Sequence, residues 1–251
     1  MRVLSLFTGI GGLDLGLQRA GMTIVGQCEI CPFCREVLHR HWPNVWRQSD
    51  VRALTGAVAR ANCGRIDLVC GGFPCQDVSD AGFRIGLSGR RSGLWSEFAR
   101  IIREIEAAWV LIENVDGLRR RGLKDVLRDL AACGYDAEWR VLGACDVGAP
   151  HIRERIFILA HRPGERLVRD EVETPIAGAS VLEKAERSAA LRPAFDGGIG
   201  RSGKRLPHAG VLRMDDGLPN ELDVRRVAAL GNAVIPQLAE LIGLELMGRE
   251  A

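Results

Sequence analysis

Apolar positions along this chain fall into short blocks of two kinds, and the kinds alternate. Arg2 to Phe7 is a strand-like block, followed by a glycine-rich turn and then helical spacing through Ala20. Thr23 to Cys28 reads as a second strand, and Pro32 to His41 as a helix opened by proline. A short third strand is predicted to end near Asp50, and Ile66 to Cys70 is a fourth, bounded by Gly71 and Gly72. From Leu94 to Glu106, Leu94, Phe98, Ile101, Ile102 and Ile105 share one helical face. Trp109 to Ile112 reads as a buried strand, Leu123 to Cys133 as a helix, and Ala137 to Leu142 and Arg155 to Ala160 as strands. Such alternation predicts an α/β fold with a mostly parallel, doubly wound sheet and helices on both faces. The last two strands have no helix between them, which allows an antiparallel hairpin.

The rhythm fades after Arg162. Pro163 to Asp216 is rich in Pro, Gly, Ala and charge, and regular spacing returns over Glu221 to Leu230 and from Val234 to Met247. Residues 1–162 and 231–251 are therefore expected to form one domain, with 163–230 a short second region. The length of 251 residues suits that size, and 47% hydrophobic with 26% charged residues excludes a disordered, collagen-like or coiled-coil chain. Apolar runs such as Ala107 to Ile112 and Ile156 to Ala160 are too short to span a bilayer. Gly9, Gly11 and Gly12 interrupt the first block as a secretory segment would not tolerate, so a cytoplasmic location is expected. A formal net charge of +2 does not by itself announce nucleic acid. Eight cysteines in such a chain are not read as a disulfide framework; some are buried small side chains and one is a candidate nucleophile.

Three strand ends carry candidate ligand-binding groups. Phe7-Thr8-Gly9-Ile10-Gly11-Gly12 joins the first strand to its helix, where glycines let a ligand approach the backbone near a helix N-terminus. Asp14 stands where the G-x-G-x-x-G dinucleotide pattern needs glycine, so the pyrophosphate fingerprint fails. Glu29, followed by Ile30, comes after the second strand, where a carboxylate can hold ribose hydroxyls. Asp50, followed by Val51, comes after the third, where a carboxylate can accept from an adenine amino group. Together they point to a nucleoside-type cofactor. Gly71-Gly72-Phe73-Pro74-Cys75-Gln76 places a cysteine in a constrained loop at a strand's carboxyl end, as a nucleophile would be. Glu113-Asn114-Val115 is expected to follow the Trp109 to Ile112 strand, so that Cys75 and Glu113 face one cleft. The spacing Cys28-x-x-Cys31-x-x-Cys34, near His39, His41 and Cys63, can hold zinc or an iron–sulfur cluster. Cys28 is expected at a strand end, though, and Cys31 and Cys34 at a helix entry, so no metal is assigned.

These segments, with Arg153-Glu154-Arg155 and Gly231-Asn232-Ala233-Val234, give the chain a resemblance to the cytosine-5 DNA methyltransferases, over positions 1–162 and 213–251. The resemblance implies a class I methyltransferase fold, S-adenosylmethionine as cofactor and double-stranded DNA as partner. Cys75 would add to C6 of a flipped cytosine, Glu113 would hold its N3/N4 edge, and Arg155 and Arg153 would face its O2 side. Phe7 would pack on adenine. The stretch from Thr8 to Gly12, with Glu29, Ile30, Asp50, Val51, Leu94, Asn232, Ala233 and Val234, would complete the cofactor site. Ser79 and Arg91, in a glycine-rich closing loop, and Arg201, Lys204 and Arg205 would meet DNA phosphates. Three departures stand out: His151 in place of a glutamine, Gly89 near the place of an acid, and Ala233 in place of a serine. The recognition region is also short for the family. A tRNA cytosine-5 methyltransferase and a non-catalytic DNA- or cofactor-binding remnant are the alternatives. A monomer is expected, and a cognate restriction endonuclease is a possible companion.

Between Gly197 and Met214, four cations, Arg201, Lys204, Arg205 and Arg213, occur without an acid, apart from histidine. Neutralising Arg201, Lys204 and Arg205 together is expected to weaken DNA binding about equally on all sequences and to flatten its salt dependence. A changed target sequence with an unchanged salt slope would identify them as base readers.

Overall fold

The computed structural model describes residues 1–74, 93–149, 153–164 and 228–248. Seven strands form one sheet: β1 (Arg2–Leu6), β2 (Thr23–Cys28), β3 (Trp46–Gln48), β4 (Leu68–Gly71), β5 (Trp109–Val115), β6 (Asp136–Leu142) and β7 (Arg155–His161). Their order is β3-β2-β1-β4-β5-β7-β6. The first five run parallel, and β7 is antiparallel to both β5 and β6. The helices are α1 (Gly12–Arg19), α2 (Pro32–His41), α3 (Gly56–Cys63), α4 (Leu94–Ile105), α5 (Leu118–Arg121), α6 (Leu123–Ala132) and α7 (Pro236–Leu246). The expected α/β class is observed, and the last two strands take the antiparallel pairing that the missing helix allowed.

Alternation along each strand sorts its side chains between two cores. Leu4, Leu6, Val69, Val110, Ile112, Ile156 and Ile158 face α3, α4 and α6. Val3, Leu68, Cys70, Leu111, Phe157 and Leu159 face α1 and α7. Helix α4 supplies Phe98, Ile101, Ile102 and Ile105 of the expected stripe to the first core, joined by Trp95, with Leu94 half-buried against it. Each such large side chain adds about 2 kcal/mol of burial free energy.

Helix α7 lies along α1 because small residues line the contact. A Cβ on Gly16 would overlap the Pro236 carbonyl and sit 2.5 Å from Ala239 Cβ; one on Gly243 would sit 2.6 Å from Ala20 Cβ. The C-terminal helix therefore returns to the first helix of the chain. Among the described residues, no helix is long and apolar enough to cross a membrane.

Some boundaries differ from the sequence reading. Strand β5 continues through Val115, so Glu113 and Asn114 lie within it rather than after it; residues 113–115 pair with β7. Helix α3 was not anticipated: Thr55 caps it by accepting from the Val58 amide at 3.2 Å. Of the predicted 221–230 segment, only 228–230 lie among the described residues, within a helical turn at 228–232.

A buried acid crosses the α1 side of the sheet. Asp14 is fully buried and accepts from Gln27 Nε2 at 2.7 Å, while its Oδ1 has no partner. Burial pushes its carboxyl up to about 6, against the weaker pulls of the Ser5 hydroxyl, of Gln27 and of the Arg47 charge. The folded chain thus holds this proton more tightly than the unfolded chain does. Stability falls as pH rises from about 4 through 6, by on the order of 3 kcal/mol. Asp14→Asn is expected to raise the thermal midpoint at pH 8 and to have a much smaller effect near pH 4.5. Equal effects at both values would show that Asp14 is not a buried charge.

Candidate active site

The glycine turn after β1 is held from several sides. The Thr8 amide donates to the Cys28 carbonyl at 3.2 Å, and its hydroxyl reaches the Ser5 and Cys28 carbonyls. Gly9 N–H donates to Glu29 Oε2 at 2.8 Å, and Cys31 N–H to Glu29 Oε1 at 2.7 Å. Glu29 therefore ties the turn to the start of α2 and keeps further lone pairs on each oxygen. Phe7 adopts φ +51°, a conformation costly for a side-chain-bearing residue, and its ring lies 5.9 Å from that of Phe98. Trp42, which the sequence reading passed over, packs its ring against Gly11 and donates from Nε1 to Gln18 Oε1 at 2.8 Å. No neighbouring atom lies within 4 Å of where a Cβ on Gly9 would stand, so that face of the turn is open to a ligand.

The C-terminal segment closes the other side. A Cβ on Gly12 would overlap the Val234 carbonyl oxygen. A cavity of about 830 Å³ opens there, lined among others by Ile10, Gly11, Gly12, Arg153, Ala233 and Val234. Asn232 is exposed at its edge, Ile30 is 63% exposed beyond Glu29, and Leu94 is half-buried at the start of α4. Asp50 caps the turn Val51–Ala53 and pairs with Arg52 at 2.7 Å, which holds its carboxyl below the usual range. The Val51 side chain is buried in the α3/α4 core, and the Thr8 hydroxyl is spent on backbone carbonyls.

The acid site follows from strand register. Glu113 lies opposite Phe157 in the β5–β7 ladder, so Arg155, two residues away, is its diagonal neighbour on the same face. Arg155 Nε lies 3.0 Å from Glu113 Oε1. Glu113 is only 7% exposed, and burial pushes its carboxyl up to about 7 despite Arg155 and Arg153 nearby. The loop leading to Cys75 passes tightly against it, since a Cβ on Gly72 would sit 2.7 Å from Glu113 Oε2. Asn114, buried beside it, donates from Nδ2 to the Phe73 carbonyl at 3.1 Å and so fixes that loop to β5. Arg153 does not pair with Glu113; its Nη2 donates to the Gly231 and Ala233 carbonyls at 2.6 and 2.9 Å. Cys75, Ser79, Arg91, Arg201, Lys204 and Arg205 lie outside the described residues.

A profile of the C-5 cytosine-specific DNA methylase family matches residues 1–192. The type II methyltransferase M2.BsuMI of Bacillus subtilis is 37% identical over 168 residues, which cover 64% of this chain and 42% of that protein. M.FnuDI of Fusobacterium nucleatum is 32% identical over 181 residues, 70% of this chain and 52% of that one. The chain thus spans about half the length of these relatives. A crystal structure assigned as a DNA modification methyltransferase of an E. coli prophage superposes with a TM-score of 0.58 at 29% identity, over 70% of this chain and 51% of that chain.

Gly12→Ala is expected to push the Val234 segment away, lower stability by about 1–3 kcal/mol and weaken binding of a ligand in the adjoining cavity by about tenfold. Gly231→Ala, where a Cβ meets open space, is the control. Calorimetry and thermal melts of both variants test the contact; equal behaviour would refute it.

Proposed function

The chain belongs to the C-5 cytosine-specific DNA methylase family, and from that premise we propose that it transfers a methyl group from S-adenosylmethionine to C5 of cytosine in double-stranded DNA. The observation that carries this reading is the buried Glu113, beside the loop into Pro74-Cys75, with its carboxyl raised to about 7. At neutral pH a substantial share of Glu113 keeps its proton, which suits an acid facing the N3/N4 edge of a base.

The residues around the glycine turn fit S-adenosylmethionine. The open face at Gly9, the half-engaged Glu29 carboxylate, the half-buried Phe7 and the cavity beside Gly12 and Val234 offer an apolar surface with a few polar groups. Phe7, Gly9, Ile10, Glu29, Asp50, Leu94, Asn232 and Val234 would hold it. When bound, it supplies the electrophilic methyl group that cytosine C5 takes.

The protein's own part is to make C5 nucleophilic. Cys75 thiolate adds to C6, and the electron density so released is held at the N3/N4 edge by Glu113. Arg155 orients that carboxyl by its ion pair. Arg153 anchors the Gly231-to-Ala233 segment against the cavity. After methylation, loss of the C5 proton and expulsion of Cys75 restore the aromatic ring. The base must leave the duplex for this, at a cost of a few kcal/mol. Residues 163–230, with Ser79 and Arg91 of the 79–91 loop, would carry the DNA contacts.

Trapping on duplex DNA containing 5-fluorocytosine tests the reading directly. A covalent complex that forms only with S-adenosylmethionine and disappears in Cys75→Ser is expected; methylation of tRNA and not of DNA would overturn the substrate. Glu113→Gln is expected to keep the fold and slow transfer by roughly two or more orders of magnitude. Because the protonated carboxyl is the active form, wild-type kcat/KM should fall as pH rises through about 7, and Glu113→Gln should lose that limb. A nearly wild-type rate in Glu113→Gln would remove the acid from the mechanism.

A further inference from the structure

The cysteine-rich segment around α2 is not absorbed by methyl transfer. Among the described residues, no three His, Cys, Asp or Glu side chains converge as a metal ion requires. Cys28 is buried on β2 in the α3/α4 core, and Cys63 packs against Gly26. Cys31 and Cys34 behave differently. Cys31 is the N-cap of α2, Pro32 is the first helical residue, and Cys34 lies in the first turn. N-cap and third helical position bring the two side chains onto the same face of that turn. Cys31 is half-exposed and Cys34 is buried. An accessible cysteine, two intervening residues and a buried cysteine at a helix start form an arrangement suited to thiol–disulfide exchange.

This pair is wired to the cofactor side of the cleft. The Cys31 amide holds Glu29 Oε1, while Glu29 Oε2 holds Gly9. Arg35, one residue beyond Cys34, clamps the Glu29 and Ile30 carbonyls at 3.0 and 2.6 Å. Closing a disulfide brings the two sulfurs to about 2.05 Å, a far shorter approach than two thiols make. That movement starts at Cys31, the residue whose amide orients Glu29.

We propose that Cys31 and Cys34 form a reversible dithiol–disulfide pair whose oxidation disturbs Glu29 and weakens cofactor binding. The inference rests on the reading of Glu29 as part of the S-adenosylmethionine site. The oxidant is a small-molecule disulfide such as oxidised glutathione. Cys31, as thiolate, attacks one sulfur and releases one glutathione thiolate. Cys34 then gives up its proton, attacks the Cys31 mixed disulfide and releases the second. The protein loses two electrons and two protons, and two glutathione thiols are formed. The half-exposed Cys31 meets the oxidant first and the buried Cys34 resolves; burial, with Cys31 and Glu29 adjacent, also pushes the Cys34 thiol up to about 12. In a reducing compartment such a pair senses redox state rather than bracing the fold.

The full chain, equilibrated in glutathione buffers of graded potential, tests this by two readouts. Mass analysis of the peptide containing residues 31–34 should show loss of two hydrogens, reversed by dithiothreitol. Calorimetry should show S-adenosylmethionine binding at least about fivefold weaker to the oxidised protein. Cys31→Ser, at the half-exposed position, should bind equally in reducing and oxidising buffers. By linkage, bound cofactor should make the pair harder to oxidise by the same factor. Absence of the disulfide across the series, or a formed disulfide with unchanged affinity, would overturn the proposal. If the reduced protein bound no S-adenosylmethionine, the cofactor reading would fall, and the coupling to Glu29 with it, whatever the mass analysis showed of the pair.

Discussion

The close approach of the chain's two ends is the contact on which the site depends. Gly12 and Gly16 on α1, with Ala20 just after it, meet Val234, Ala239 and Gly243 with almost no side-chain volume between them. That packing sets the C-terminal segment beside the glycine turn. The segment then presents the Gly231 and Ala233 carbonyls to Arg153. Arg153 in turn precedes the strand that carries Arg155 to Glu113. A chain of contacts thus runs from a stripe of small residues to the buried acid. Helix α1 bears only one modest ion pair to α7, Arg19 with Glu240 at 3.7 Å, which is too long and exposed to define the geometry.

Among the described residues, two carboxyls are buried against or within this sheet, and both are raised by the same dominant cause. Desolvation outweighs every favourable partner at Asp14 and at Glu113, although Glu113 has a guanidinium at 3.0 Å. Their surroundings set their uses apart. Asp14 is sealed between α1 and the sheet, with Gln27 as its hydrogen-bonded partner. Glu113 lies against the Gly72 backbone at the carboxyl end of β5, where loops diverge and a ligand can enter. A raised carboxyl in the first place costs stability; in the second it keeps a proton at the ligand-accessible edge of the sheet, as the proposed mechanism requires.

The strand–helix alternation was legible because buried strands and the α4 stripe leave strong periodic marks. Helix α3 left none: Gly56-Ala-Val-Ala carries few large apolar residues, and its Thr55 cap was the available sign. The end of β5 was misplaced for a physical reason. Glu113 and Asn114 look like loop residues, yet pairing with β7 extends the strand through them. The turn after β1 could be read from its glycines, and the position of Glu29 from its strand end. The groups that hold the turn in shape, Trp42 against Gly11 and Asn114 on the Phe73 carbonyl, could not. Their roles depend on contacts between residues 31 and 41 positions apart, and no local pattern encodes such contacts.

The antiparallel strand β7 explains why an arginine can reach the acid at all. In a parallel sheet, every strand begins at the edge opposite the ligand-binding loops, so residues entering a strand are far from the site. Strand β7 runs the other way and begins at that edge. Its first residue, Arg155, therefore pairs opposite Val115, the last residue of β5, and its side chain turns diagonally to Glu113. Arg153, just before the strand, lies further out and is free to grip the C-terminal segment. One reversal of strand direction thus delivers two cations to the carboxyl edge. One holds the acid and the other holds the Gly231-to-Ala233 wall of the cavity.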